Sequence, residues 1–303
     1  MRVVLRLWRA PIRASIAAAL LVSWMPAHAV PVDLAAARVG ASGLGSILVF
    51  GDSYSARYWQ QVPSWVEQLR AAGTVSVATN HAVAGATASG SGDARTFAGQ
   101  VDSWARGGGK VADTTIVYFG HNDIHRNLDL NGAKAAYARG IDRLVAAGVT
   151  SGQRRLLLTL IHDWSRNPGS SGNERGRVQR WNQLVRAVGG ARPNVQIVDL
   201  FSLFERVFAN PGKHGLKNVS TPSTAASRST HLFYDSLHFG ACGQAIIARA
   251  MKTALERAAA GRATRPAELG PERPVPTLAA LEPPSASPAA WPCFAHPIGA
   301  TPP

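Results

Sequence analysis

Five short apolar runs, at residues 47–50, 75–79, 115–119, 155–160 and 195–200, alternate with helical patterns along this chain. No other feature of the sequence narrows the fold as far. Strands alternating with helices imply a parallel sheet covered on both faces, since each crossover must bring the chain back to the same end of the sheet. The helical segments carry their own punctuation. Ser64-Trp65-Val66-Glu67 reads as a capping box, and the helix it opens stops at Gly73. Ile141, Leu144 and Val145 mark one face of another helix. Val178, Trp181, Val185 and Val188 mark a third, and Ile247, Met251, Ala254 and Leu255 the last. Residues 201–233 show a short helical patch near 201–208 and then no regular element. A loop of that length in a compact domain is usually functional or mobile.

Both ends differ from the middle. Arg2, Arg6, Arg9 and Arg13 precede an apolar run at 16–22, and Ala27-His28-Ala29 offers an A-x-A cleavage site. Residues 1–29 therefore read as a signal peptide, cut after Ala29. The apolar run is too short to span a bilayer, and no cysteine lies near the cut to take a lipid. A secreted or periplasmic soluble protein is the expectation. At the other end, eleven of the 19 prolines fall between Pro266 and Pro303, which predicts an extended tail. The layout is a signal peptide at 1–29, a lead-in at 30–45, one α/β domain at 46–261 and a proline-rich tail at 262–303.

The 303 residues are 46% hydrophobic and 17% charged, as suits one large globular core. Residues 1–29 hold four arginines and no Asp, Glu or Lys, so their removal takes the formal charge from +14 to +10. A basic exported protein has an anionic envelope surface as a candidate partner. Arginine in place of lysine also follows from coding bias alone. The arginines are scattered and no finger or recognition-helix motif occurs, so nucleic acid is not a partner. A monomer is the expectation. Cys242 and Cys293 are the two cysteines. In an oxidising compartment they either pair or remain inert thiols, and a bridge would bring the tail beside residues 235–238.

In an open parallel sheet, ligands bind beyond the carboxyl ends of the strands. Four polar clusters follow the predicted strands: Gly51-Asp52-Ser53 after the first, "NHAVAGAT" at 80–87 after the second, "GHND" at 120–123 after the third, and "YDSLHFG" at 234–240 across the long loop. Serine is a poor nucleophile without a base, and a histidine base needs a group that sets its tautomer. Asp235 and His238 have the spacing for that pairing on a turn, with Nδ1–H held by the carboxylate and Nε2 facing Ser53. The backbone N–H groups of Ser53 and Gly85 and the side-chain amide of Asn122 are the donors for a developing oxyanion. Asp52, Gly120 and Asp123 are read as organisers of the supporting loops.

The ordered blocks "FGDS", "NxAxxGxT", "GxND" and "DxxH" resemble the SGNH/GDSL hydrolases over residues 46–258. "NHAVAGAT" and "HLFYDSLHFG" are further similar to the subgroup of lipases, thermolabile haemolysins and glycerophospholipid acyltransferases. The resemblance implies a flavodoxin-like, three-layer α/β/α sandwich with a five-stranded parallel sheet. It implies ester hydrolysis without metal or cofactor, with Ser53 as nucleophile, His238 as base, Asp235 as its partner, and Ser53, Gly85 and Asn122 as oxyanion hole. The substrate is then a small-molecule or lipid ester. Removal of O-acetyl groups from polysaccharide, acyl transfer to a lipid, and a non-catalytic binding module are the rival readings.

Other features carry no comparable signal. His121, His125 and His162 lack metal-ligand spacing and read as surface or loop residues, and His81 and His231 as structural. Gly107-Gly108-Gly109-Lys110 fails as a phosphate loop because Trp104 and Val111 stand where Gly and Ser/Thr are needed. G-x-S-x-G does not occur, which argues against an α/β-hydrolase nucleophile elbow. Trp59 and Trp164 either line an acyl pocket or belong to the core.

Overall fold

The computed structural model describes residues 43–57, 62–90, 92–190 and 192–263. The elements run β1 (Ser46–Gly51), α1 (Trp65–Ala71), β2 (Val77–Asn80), α2 (Phe97–Arg106), β3 (Thr114–Tyr118), α3 (His121–His125), α4 (Leu130–Ala146), β4 (Arg155–Leu160), α5 (Arg175–Gly190), β5 (Val195–Asp199), α6 (Leu200–Ala209), β6 (Asn218–Pro222), β7 (His231–Phe233) and α7 (Ala241–Ala263).

Strands β1 to β5 form one parallel sheet in the order β2-β1-β3-β4-β5. This is the doubly wound, flavodoxin-like order, in which the direction of winding across the sheet reverses between β1 and β3. The central strands are buried along their whole length, through both faces of the sheet. Apolar runs such as Ile47-Leu48-Val49-Phe50 and Leu156-Leu157-Leu158 suit only that environment, because alternate side chains meet helices on opposite sides. On the β2 edge the pattern relaxes, and Val77 lies exposed. Helices α2, α4 and α5 pack in sequence against one another, and α1 packs on α7.

Local chemistry sets the helix ends. Ser64 accepts the Glu67 N–H while the Glu67 carboxylate accepts the Ser64 N–H, which is the predicted capping box. Asp129 caps α4 by accepting the N–H groups of Asn131 and Gly132, and Asp199 caps α6 by accepting the N–H of Ser202.

One expectation is corrected here. Residues 201–233 are not irregular beyond a helical patch: α6 occupies 200–209, and β6 and β7 pair in parallel as a separate two-stranded sheet. Strands of five and three residues are too short for a period-two signal to stand out from the surrounding Ser, Thr and Pro. Helix α2, not among the helices read from the sequence, buries Phe97, Val101 and Trp104 at i, i+4 and i+7, whereas the five residues of α3 are too few to show a period.

Candidate active site

The turn after β1 is held from several sides. Gln100 on α2 grips Gly51 with both ends of its amide: Oε1 accepts the Gly51 N–H at 3.0 Å, and Nε2 donates to the Gly51 carbonyl at 2.8 Å. The same carbonyl accepts the Val83 N–H, which ties in the loop after β2. Asp52 Oδ1 accepts the Tyr54 N–H, and the Asp52 carbonyl accepts the N–H groups of Ser55 and Ala56. Asp52 is thus the turn-former expected of it. Ser53 stands at the apex, 7% exposed.

The 235–238 loop is built around one carboxylate. Asp235 Oδ1 accepts the N–H groups of Leu237 and His238 at 2.7 and 2.6 Å, folding the loop back on itself. Its Oδ2 lies 2.9 Å from His238 Nδ1, and His238 Nε2 lies 3.0 Å from Ser53 Oγ. With Nδ1–H donating to the carboxylate, Nε2 keeps its lone pair toward the serine. Burial pushes the Asp235 pKa up, but hydrogen bonds from the His238 ring, the attraction of that ring and the two N–H donors outweigh it, so the carboxyl sits below its usual range.

On the opposite side the second and third polar clusters interlock. Asn122 Nδ2 donates one hydrogen to the Ala86 carbonyl at 2.9 Å, which orients the amide and leaves its second hydrogen. Arg126 Nη2 donates to the Gly85 carbonyl at 2.8 Å. Gly85 has φ +75°, and a Cβ there would meet Arg126 Nη2 at 3.1 Å, so the residue answers both a backbone and a space requirement. Asp123 collects the N–H groups of Ala88 and Ser89 and the Ser89 hydroxyl, while burial raises its pKa against these bonds. It is the loop organiser that the sequence suggests. Gly120 has φ +125°, and a Cβ would fall 2.2 Å from Trp181 Nε1. That indole donates to the Phe119 carbonyl, so the glycine lets α5 close over the end of β3.

These clusters meet at the carboxyl edge of β1 and β3, where Asp52 Oδ2 lies 2.9 Å from His121 Nδ1. The reading of His121 and His162 as surface or loop histidines is therefore corrected. They are 1% and 0% exposed and pack with Tyr54 and Trp164, whereas His125 is exposed. The cause is that β3 and β4 are parallel neighbours, so the segments that follow them bring both imidazoles against the Tyr54 ring. Trp164 is buried in this same cluster. Gln100, Tyr54 and Asn167, all bonded within the site, carry no motif signal. Amide and phenol groups have no characteristic spacing, and only the fold reveals what they grip. Cys242 is buried at the start of α7. Its expected partner Cys293, Trp59, the signal peptide and the proline-rich tail lie outside the described residues.

The fold and the sequence both have relatives. An acetyl xylan esterase, AlAXEase, superposes with a TM-score of 0.50 at 16% identity, over 69% of this chain and 98% of its own. A Lactobacillus plantarum protein superposes with a TM-score of 0.50 at 19% identity, over 72% of this chain and 99% of its own. A member of the lipolytic protein G-D-S-L family from Veillonella parvula reaches 0.49 at 17% identity, over 70% and 98%. At such identities the likeness is one of fold. No curated protein matches the chain. The sequence profile of the GDSL-like lipase/acylhydrolase family matches residues 49–246, from within β1 into α7. The chain belongs to the GDSL-like lipase/acylhydrolase family and is an ester hydrolase by that membership.

Proposed function

We propose that this chain is an exported serine hydrolase of lipid or short-chain carboxylic esters. The observation that carries the reading is the continuous relay Ser53 Oγ, His238 Nε2, His238 Nδ1, Asp235 Oδ2, with separations of 3.0 Å and 2.9 Å at its two joints. Those separations are within proton-transfer reach, and a hydrogen-bonded carboxylate favours the tautomer a base requires. Ser53 Oγ attacks the ester carbonyl as His238 takes its proton. The carbonyl oxygen becomes an oxyanion facing the N–H groups of Ser53 and Gly85 and the free hydrogen of the Asn122 amide. The carbon–oxygen bond to the alcohol then breaks, and His238 returns the proton to the leaving alcohol. Water, deprotonated by His238, releases the acid from the acyl-enzyme.

Export rests on the basic and apolar pattern of residues 1–29. Hydrolysis of p-nitrophenyl esters from acetyl to palmitoyl tests the reading, with Ser53→Ala as control. Turnover that vanishes in Ser53→Ala supports the nucleophile, and turnover that survives there overturns it. Rates rising with chain length mark a lipid substrate; rates falling with it mark short acyl groups.

A further inference from the structure

The loop after β4 takes no part in the four-cluster reading, yet it touches the loop that bears His238. Gly169 N–H donates to the Ser236 carbonyl at 2.8 Å, and Asn167 Nδ2 donates to the next carbonyl, Leu237, at 2.9 Å. Gly169 packs so closely that a Cβ would lie 3.0 Å from both Ser236 Cβ and Ser236 O. Two consecutive carbonyls of the 235–238 loop are thus held by residues 167–169. The Leu237 carbonyl also accepts the Tyr54 hydroxyl at 2.5 Å. Tyr54 directly follows Ser53, and its ring stacks on His121 with centroids 3.9 Å apart.

The polarity of every bond in this network follows from its ends. A carbonyl only accepts, so Asn167 must present its amide nitrogen to Leu237, and the second hydrogen of that nitrogen goes to the Tyr54 oxygen at 3.1 Å. Tyr54 then spends its own hydrogen on Leu237. Asn167 Oδ1 is left to accept, and His162 Nε2 donates to it at 2.8 Å. Asn167 is buried and uses its whole side-chain donor capacity on the two elements that carry the nucleophile and the base.

We propose that Asn167 is a positioning residue for the hydrolysis site: with Tyr54 it forms a strap that fixes His238 against Ser53. This rests on the assignment of Ser53 and His238 as nucleophile and base. The base is held from two directions. Asp235 sets its tautomer and ring plane, and the strap sets where its backbone stands relative to the serine turn. A shift of about 1 Å between reacting groups costs on the order of 100-fold in rate.

The test uses an alkyl fluorophosphonate, which reacts whatever the natural ester is. The Ser53 Oγ–P bond forms, the P–F bond breaks, fluoride leaves and His238 takes the hydroxyl proton. Labelling rates across pH, kcat and KM on p-nitrophenyl butyrate, and thermal unfolding are measured for the wild type, Asn167→Ala, Tyr54→Phe, the double variant and Ser53→Ala. Asn167→Ala is expected to lose about 100-fold in labelling and kcat with KM little changed. Tyr54→Phe should lose about tenfold, and the double variant no more than Asn167→Ala, since the two act as a unit. In the magnetic-resonance spectrum the downfield His238 Nδ1 proton should move or broaden in both single variants. A lower melting temperature with wild-type labelling below it would overturn the strap. If Asn167→Ala does not fold, Tyr54→Phe, which removes one oxygen, decides by the same criteria. Wild-type labelling of Ser53→Ala would instead overturn the underlying site assignment.

Discussion

Replacing Asp235 by Asn probes the site with one atom. Oδ1 accepts two backbone N–H groups at 2.7 and 2.6 Å, and Oδ2 faces His238 Nδ1 at 2.9 Å. An amide has one acceptor and one donor, so it cannot serve both ends. With its oxygen toward Leu237 and His238, its NH2 faces Nδ1, and the imidazole avoids a donor–donor clash only by moving its hydrogen to Nε2. That hydrogen then points at Ser53, and the base has no lone pair to offer. With the amide turned over, NH2 faces two N–H donors and the loop itself opens. The first arrangement costs less, so the Asp235→Asn variant should keep the fold and hold the wrong tautomer. In serine proteases the equivalent change lowers kcat about 10,000-fold, which is about 5 kcal/mol on the barrier. The prediction here is a kcat loss of about 1,000-fold or more, KM nearly unchanged, and melting within a few degrees of wild type. Stopped-flow and steady-state assays on a p-nitrophenyl ester measure it. A variant that keeps its kcat within about tenfold of wild type would refute the relay.

Asn122→Ala should lower kcat by about 100- to 1,000-fold with little change in KM, as expected for a donor used in the transition state; parallel loss of binding would argue against that role. Gly120→Ala places a methyl group 2.2 Å from Trp181 Nε1 at φ +125° and should cost at least about 3 kcal/mol in urea unfolding, with the indole emission of Trp181 altered. Burial, the nearby His121 and, in opposition, the bond to Asn167 leave His162 with a pKa well below 6.5. The unfolded chain therefore takes up a proton on this residue before the folded one does. Its contribution to stability is complete above about pH 6.5 and is lost as pH falls below that value, by at most about 1.4 kcal/mol per unit. His162→Gln should flatten that part of the stability profile, and an unchanged slope would refute the assignment.

The arrangement of strands was legible because burial on both faces demands continuous apolar runs, and β4 was read to its exact bounds. The capping box at Ser64 was legible because its spacing is its mechanism. The short strands β6 and β7 were not, since three to five residues give no period. Ser53, Gly85 and Asn122 were read as residue types just past predicted strands and Asp235 and His238 across the long loop, and the structure sets Ser53 against His238 and the Gly85 loop against Asn122. What held them in place was invisible. Gln100 grips a backbone 49 residues away, and Asn167 a carbonyl 70 residues on.

The sequence by itself determined an α/β chain with a serine, a histidine and a carboxylate at one edge of a parallel sheet, because periodicity and turn chemistry are local properties. Only the tertiary structure decided that Asp52 meets a buried His121, that Trp164 is core, and that the loop after β4 is hydrogen-bonded both to the 235–238 loop and to Tyr54. Those are contacts between distant segments whose polarity depends on which donor faces which acceptor, and that is set when the sheet and its loops close.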